Sequence, residues 1–575
     1  MTNKKAGIIK TFGFVGETKV MRHVLAWSLL LGVLASAYPG GARRAEAVPP
    51  PNIILILTDD QRWDTLWAMD KVQLRLVQKG TTFANAFVTT PLCCPTRSSL
   101  YSGGYLPKNT NVLTNLLPNG SVSTFTDIPT LGTLIKQNGY ATGFIGKYMN
   151  KYDTQLAPYV PPGWSKFIGL NDDSDWNNFT VVVGSSTATQ SSTGTVQTIT
   201  QYMTDYLRDQ ALAFIDQYKS GPFLLIITPK APHGPATPAP GDENLFSTFT
   251  NTRPNVNEAD LSDKPQWLQA AADPTDDATA FARNQLRSLQ AVDRMVSQIY
   301  IRLNTHNLVN KTNIAYTSDN GFMWGEHAVQ KKTKPYEESI RVPLVIRGPG
   351  IVQGVTSTYD VAMNLDLGTT ILRWAGLNTV TDGLDLRDIL DGGPPVSWPR
   401  ENGIMFQSFS KDNLEKYTPP LWSAWRTKLY KLIEYPQSGE KEFYDLTADP
   451  YEMSSQHSSS SFATLISQYS ANIAANEGLI NYMATTSLPA ATTSVPYSYQ
   501  FPARGGTTPY AWSTTGTNPL PPGLTLGAST GILSGTPTQS GSYTFKVQVI
   551  DSSTSAQNGK HQSFIVEGIN LLVNP

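Results

Sequence analysis

The chain has 575 residues, of which 40% are hydrophobic and 15% charged, and its formal net charge is −1. A typical globular chain carries about 25% charged residues, so nothing in the charge balance favours nucleic acid or an anionic lipid surface as a partner. The length allows roughly three domains, or one large domain with additions.

Residues 1–47 read as an export signal. Lys4, Lys5, Lys10 and Arg22 precede an apolar run over 24–37, and Ala45-Glu46-Ala47 supplies an A-x-A cleavage pattern. The run has 14 residues, fewer than the roughly 20 of a helical membrane span. The pattern fits best with translation starting at Met21; a short membrane anchor is the competing reading. No later segment is apolar enough to span, so no transmembrane span is expected after cleavage. The expected location is secreted, periplasmic or on the cell surface, in a bacterial host.

The mature chain opens on NIILILT (52–58), which ends at Asp59-Asp60. A run apolar on both faces suits a buried parallel strand. Segments ending at Lys147, at residue 228 (FLLIIT, followed by PKAPH to His233) and at residue 317 (NIAYT, followed by Ser318-Asp319-Asn320-Gly321) repeat the pattern. Leu286, Leu289, Val292, Val296, Ile299 and Leu303 mark one face of a helix between the last two. Strands alternating with helices imply a doubly wound α/β sheet, whose ligands bind beyond the carboxyl ends of its strands. Asp59, Asp60, His233, Asp319 and Asn320 are therefore expected on one edge.

Beyond residue 400 the pattern changes. Residues 425–435 and 442–446 read as antiparallel strands about a turn at 436–439, a smaller α+β subdomain that closes over the sheet edge. A helix is expected over 463–485 and a polar linker over 487–494. Tyr543, Phe545, Val547 and Val549 then alternate with polar residues between closely spaced turns, as in a small β-sandwich. The expected domains are 48–395, 396–486 and 495–570.

Cys93 and Cys94 are the only cysteines. Neighbours in sequence make a strained disulfide, and a large core needs none, so the pair looks kept for reaction. Asp59-Asp60 and Asp319-Asn320 offer oxygen ligands, which suit a hard cation, Ca²⁺ or Mg²⁺. One such pair is more often a solvated loop; two pairs at two strand ends reverse the odds. A soft thiolate does not belong beside such a cation, so a Cys93 in this site should be chemically changed.

The stretch CCPTRSSLYSG (93–103) resembles the signature of the sulfatase family, C-x-P-S/T-R followed by x-x-L-x-T/S-G. PNIILILTDDQ, GKY (146–148), APHGP (231–235), TSDNG (317–321) and GEHAVQKKTKPYEESIRVPLVIRGPG (325–350) resemble the family's other blocks, in order, over about 51–455. The resemblance implies an alkaline-phosphatase-like sheet and hydrolysis of a sulfuric ester. Cys93 would be converted by a formylglycine-generating enzyme to Cα-formylglycine. One hydroxyl of its hydrate would attack sulfur and the other would expel sulfate. Asp59, Asp60, Asp319 and Asn320 would hold Ca²⁺, with Mg²⁺ the alternative and residue 93 a further ligand. Arg97 would stabilise the hydrate. Lys147, His233 and Lys332 would clamp sulfate oxygens or protonate the leaving alcohol, Lys332 being preferred to its neighbour Lys331. Asn150 and His327 are candidates for the substrate pocket, His327 reading equally well as structural support. Cys94, the Glu337-Glu338 pair and Arg426 read as structural.

The sequence departs from the common pattern in places. Thr96 stands where many members have Ser, and GKYMN (146–150) lacks a His two residues after Lys147, as in the glucosamine-6-sulfatase branch. The expected substrate is a sulfated carbohydrate, such as 6-sulfated N-acetylglucosamine in a glycosaminoglycan or mucin. Residues 490–568 resemble immunoglobulin-like modules of bacterial surface and secreted proteins. Three alternatives stand beside this reading. They are a phosphodiester or phosphonate monoester hydrolase of the same superfold, a non-catalytic glycan-binding surface protein, and a thiol hydrolase pairing Cys93 with His233.

Overall fold

Strands whose residues are apolar on both faces can be buried only between two layers, and the central strand shows this directly. In β1 (Asn52–Thr58) every residue is buried. Ile53, Leu55 and Leu57 pack into one core cluster, while Ile54 and Ile56 pack into another on the opposite face. The computed structural model describes residues 50–575 apart from 157, 173–174, 394, 396, 410–418, 481–482, 484–485 and 555–558. The expected export signal lies outside the described residues.

The main sheet has ten strands. In chain order they are β1, β2 (Thr81–Phe87), β3 (Ala141–Gly146), β4 (Lys166–Asp172), β5 (Phe179–Gly184), β6 (Thr195–Ile199), β7 (Phe223–Thr228), β8 (Thr312–Ser318), β9 (Leu344–Arg347) and β10 (Val355–Ala362). Their spatial order is β10-β2-β9-β8-β1-β7-β3-β4-β5-β6. The run β8-β1-β7-β3-β4 is parallel throughout. Helices α1 (Cys93–Tyr101), α2 (Leu131–Gln137) and α5 (Met363–Trp374) cover one face; α3 (Met203–Tyr218) and α4 (Thr279–Thr305) cover the other. All six apolar positions expected on α4 are buried. This is the doubly wound α/β architecture of the sequence reading.

A four-stranded antiparallel sheet follows, in the order β11 (Ile404–Ser408), β12 (Trp422–Arg426), β13 (Tyr430–Glu434), β14 (Lys441–Asp445). The stretch 425–435 is thus two strands rather than one, broken where Thr427 N–H donates to the Tyr430 carbonyl at 2.9 Å. Helix α6 (Ala463–Asn476) stops nine residues short of the expected 485. Glu477 is extended, with φ −64° and ψ 147°, and the chain then runs into the core of the next module.

The C-terminal module is a β-sandwich. Strands β15 (Ala491–Thr492), β17 (Ala511–Thr515), β20 (Gly541–Ile550) and β21 (Ser563–Asn574) form one sheet; β16 (Tyr497–Gln500), β18 (Leu524–Leu526) and β19 (Ile532–Gly535) form the other. The segment expected as a linker is corrected here. Ala491 and Thr492 pair in parallel with Val573 and Asn574, and Leu488 N–H donates to the Asn570 carbonyl. A two-residue edge strand of Ala and Thr has no apolar alternation to betray it. Among the described residues no helix is long and apolar enough to cross a membrane.

Candidate active site

Four neighbouring parallel strands release their chains at one edge. The register that sets Thr58 opposite Ser318 puts Asp59 beside Asp319, whose N–H donates to the Thr58 carbonyl at 3.1 Å. Gly146 lies opposite Thr228, and Lys147 N–H donates to the Thr228 carbonyl at 2.9 Å. Asp59 N–H in turn reaches the Ala231 carbonyl at 3.3 Å, two residues before His233. Asp59-Asp60, Asp319-Asn320, Lys147 and His233 therefore come together because β1, β8, β3 and β7 are adjacent and point the same way.

The fifth component arrives on a helix. Cys93 opens α1, and all nine residues of that helix are buried. Arg97 lies one turn later, on the same face as Cys93. Its Nε donates to Asp319 Oδ2 at 2.7 Å and its NH1 to the Lys147 carbonyl at 2.7 Å, while NH2 is 3.5 Å from Asp59 Oδ2. Cys93 Sγ is 3.6 Å from Asp59 Oδ1, 3.0 Å from Lys332 Nζ and 3.8 Å from Lys147 Nζ. Lys332 Nζ also donates to Asp60 Oδ1 at 2.6 Å, and Lys147 Nζ to Asp59 Oδ2 at 2.5 Å.

The charges sort themselves by these contacts. Burial opposes ionisation of Asp59, but Lys147, His233, Arg97 and Lys332 outweigh it and hold its carboxyl well below the usual range. Asp319 goes the other way: burial and the charge of Asp59 raise it more than Arg97 and the lysines lower it. Lys147 and Lys332 would be pushed down by burial, yet their carboxylate partners keep both above the ordinary lysine range. Burial first, then the Asp59 charge, pushes the Cys93 thiol up, so the unmodified side chain is a poor nucleophile at neutral pH.

The residues fit a hard cation. Asn320 Nδ2 donates to Asp60 Oδ1 at 2.7 Å, but the Asn320 Oδ1 acceptor is buried with no hydrogen-bond partner. A buried acceptor without a donor is costly, and this one stands among three carboxylates, the donor set of Ca²⁺ or Mg²⁺. Ligand atoms of Asp59, Asp60, Cys93 and His233 also lie within 4.8 Å of one another.

The other expected residues fall in different places. His233 is partly exposed, its Nδ1 is 2.9 Å from the Gly234 carbonyl, and its Nε2 is 3.7 Å from Asp60 Oδ2. Lys147, Asn150, Lys151, Asn171, Lys230 and His233 line a cleft of about 220 Å³. Asn150 also meets Cys94, its backbone N–H lying 3.3 Å from that Sγ. His327 does not reach the cleft. It is fully buried, its Nδ1 is 2.5 Å from Glu258 Oε2, and its ring packs on Tyr336 at 4.3 Å. Its φ of 52°, followed by 55° at Ala328, turns the chain away from the sheet edge. Glu337 begins a short helical turn and pairs with Arg426 at 2.8 Å; both are structural. Cys94 is fully buried and neither cysteine is in a disulfide.

Two residues near the site escaped the sequence reading. Gln285 Nε2 donates to the carbonyls of Asp60 at 3.3 Å and Pro232 at 3.1 Å, tying the loops after β1 and β7 together. Its signal is a buried amide within the apolar stripe of α4. Asn115 Oδ1 accepts from the Cys94 N–H at 2.8 Å and carries no local sequence signal.

Comparison with known proteins agrees with this geometry. The sulfatase family model matches residues 51–377, and that of the N-sulphoglucosamine sulphohydrolase C-terminal domain matches 325–477. An Ig-domain model matches 456–566, although the sandwich strands begin only at Ala491. An N-acetylglucosamine-6-sulfatase of Capra hircus is 34% identical over 472 residues, covering 74% of this chain and 81% of the relative. An extracellular sulfatase homologue of Caenorhabditis elegans is 35% identical over 341 residues, covering 57% of this chain and 47% of the relative. Two solved structures share the fold. One holds its substrate D-glucosamine-2-N,6-O-disulfate (TM-score 0.64, 22% identity, 74% of this chain and 97% of the other). The second is a phosphonate monoester hydrolase of Agrobacterium radiobacter (TM-score 0.57, 20% identity, 73% and 94%). With six sequence blocks meeting at one sheet edge and a family match over more than half its length, the chain belongs to the sulfatase family and is a sulfuric ester hydrolase.

Proposed function

We propose that the protein is exported and removes the 6-O-sulfate of N-acetylglucosamine or a related glucosamine residue in a sulfated carbohydrate. It would use Cys93 converted to Cα-formylglycine and a Ca²⁺ or Mg²⁺ ion held by Asp59, Asp60, Asp319 and Asn320. One observation carries this reading: residue 93 lies between the oxygen donor set and two ammonium groups, 3.6 Å from Asp59 Oδ1 and 3.0 Å from Lys332 Nζ. The converted residue supplies the attacking oxygen and a second hydroxyl for sulfate release, and the cation supplies electrostatic stabilisation.

The chain's own groups do the rest. Lys332 and Lys147 meet the sulfate oxygens as fixed positive charges, because both are held protonated by their carboxylates. His233 presents Nε2 toward the cleft while Nδ1 is held at Gly234, so it is the group placed to give a proton to the leaving alcohol. Arg97 holds Asp319 and, through the Lys147 carbonyl, the strand end that carries the ammonium. The raised Cys93 thiol argues against a thiol hydrolase. The glucosamine assignment is supported by the names of the relatives above, and the exported location by the extracellular relative and the N-terminal signal pattern.

The test is a panel of sulfated mono- and disaccharides, with aryl sulfate and aryl phosphate as controls, run beside a mass measurement of the peptide carrying residue 93. Release from 6-sulfated glucosamines above the other positional isomers is expected, lost on chelation of the cation. Active material with two unmodified thiols, or faster hydrolysis of aryl phosphate, would overturn the reading.

A further inference from the structure

The C-terminal sandwich meets the active-site side of the molecule at the loop 111–121. Leu113 is fully buried within the sandwich's own core cluster, among Phe564, Val566 and their neighbours. The side-chain amide of Asn119 takes both backbone groups of Ile565 in β21, donating to its carbonyl at 2.7 Å and accepting from its N–H at 2.8 Å. The Asn119 carbonyl in turn accepts from Leu113 N–H at 2.8 Å and Thr114 N–H at 3.1 Å, which folds the loop on itself. The closure is tight: a Cβ on Gly120 would sit 1.8 Å from the Thr114 carbonyl oxygen.

At the tip of this loop stands Asn115, whose Oδ1 accepts from the N–H of Cys94. The first N–H groups of a helix have no partner within it, and the N-cap residue Leu92 provides none. Asn115 does the capping from outside, one peptide away from Cys93. Immediately after the loop, Val122 N–H donates to the Asn150 carbonyl at 3.2 Å, three residues beyond Lys147.

We propose that the C-terminal β-sandwich is a strut for the helix that carries residue 93, acting through Asn119 and the loop 111–121, and that Asn115 is a positioning residue for the hydrolysis. The proposal rests on residue 93 being the nucleophile. The sandwich then serves turnover of every substrate, including esters too small to touch it.

The experiment uses full-length protein and a small aryl sulfate, with rates expressed per converted residue 93. Asn115→Leu is expected to lower kcat roughly tenfold with KM little changed, and Asn119→Ala roughly fivefold, as displacements of a positioned reacting group do. The double variant should be no slower than Asn115→Leu alone, because both act along one path. Asn115→Asp, which keeps the acceptor, should recover most of the rate. Amide exchange over residues 93–101 should speed up in Asn115→Leu and in Asn119→Ala. Additive losses in the double variant, or wild-type kcat and exchange in Asn119→Ala, would overturn the strut. So would a loss confined to polymeric substrate, which would make the sandwich a capture module. If the wild type hydrolysed no sulfate ester, the functional reading would fail, and the exchange measurement would still decide whether the strut exists.

Discussion

Replacing Lys332 by Met isolates one charge at the reacting centre. The ammonium is 3.0 Å from residue 93 Sγ and 2.6 Å from Asp60 Oδ1, and the residue is 5% exposed. Met keeps most of the stem, so packing changes little. What disappears is a preorganised donor where charge develops, a loss worth roughly 10²–10³ in kcat, or about 3–4 kcal/mol. Asp60 loses its ammonium and retains Asn320 Nδ2 at 2.7 Å, so the cation-free variant carries a buried carboxylate without its ion-pair partner and should lose about 3–5 kcal/mol of stability, recovered on binding the cation. An ammonium that competes for Asp60 is also gone. The variant should therefore bind the divalent cation more tightly than the wild type, and added cation should not restore its rate. The assay is the initial rate on aryl sulfate at saturating cation, per converted residue 93, with calorimetric titration of the cation. Lys331→Met serves as control and should retain wild-type kcat. A Lys332→Met enzyme within about threefold of wild type, or an equal fall in Lys331→Met, would refute the assignment.

Thiol-alkylating reagents should leave the mature wild type active, and the peptide with residue 93 should show sulfur and two hydrogens exchanged for one oxygen; Cys93→Ser should not turn over. Burial raises the Glu452 carboxyl to about 7, with Lys431 opposing and Glu337 and Glu338 adding to the rise. The folded state thus holds this proton more tightly than the unfolded chain, where the value is near 4.5. Its stabilisation is complete below pH 4.5 and is lost as pH rises through 7. Glu452→Gln should accordingly gain thermal stability relative to wild type as pH rises across that window; a constant difference would refute the sign. His327→Asn should lower the unfolding midpoint while leaving KM for aryl sulfate unchanged. Arg426→Met breaks a buried pair with Glu337 and should cost about 3–5 kcal/mol in denaturant unfolding, with kcat per folded molecule preserved.

The strand ends were legible because a strand buried on both faces leaves an unbroken apolar run, and the first polar residue after it marks the sheet edge. Asp59 and Asp319 follow from that rule, whereas the roles of Arg97 and Lys147 came from the resemblance to the sulfatase blocks. For His327 the sequence left pocket and structural support open: the residue lies between Asp319 and Lys332 in the chain, but its Nδ1 is held at Glu258, after a positive φ at both His327 and Ala328. Asn115 was invisible because capping by a loop 21 residues away leaves no local pattern. The break between β12 and β13 has no Gly or Pro to signal it. Helix α6 ends early because Gln407 and Gln562 capture the backbone of Gly478 and Leu479 in extended form, contacts made across 71 and 83 residues.

Cys93 has no exposed atom, and the helix it begins is enclosed along its whole length. A maturing enzyme must grip the thiol in its own pocket, and the finished fold gives it nowhere to enter. If residue 93 is converted as proposed, conversion is a race against chain closure, and whichever side chain is present at that moment is locked in. Preparations would then divide into competent and idle molecules of the same shape, slower folding would raise specific activity, and unfolding would be needed to offer an idle molecule a second chance.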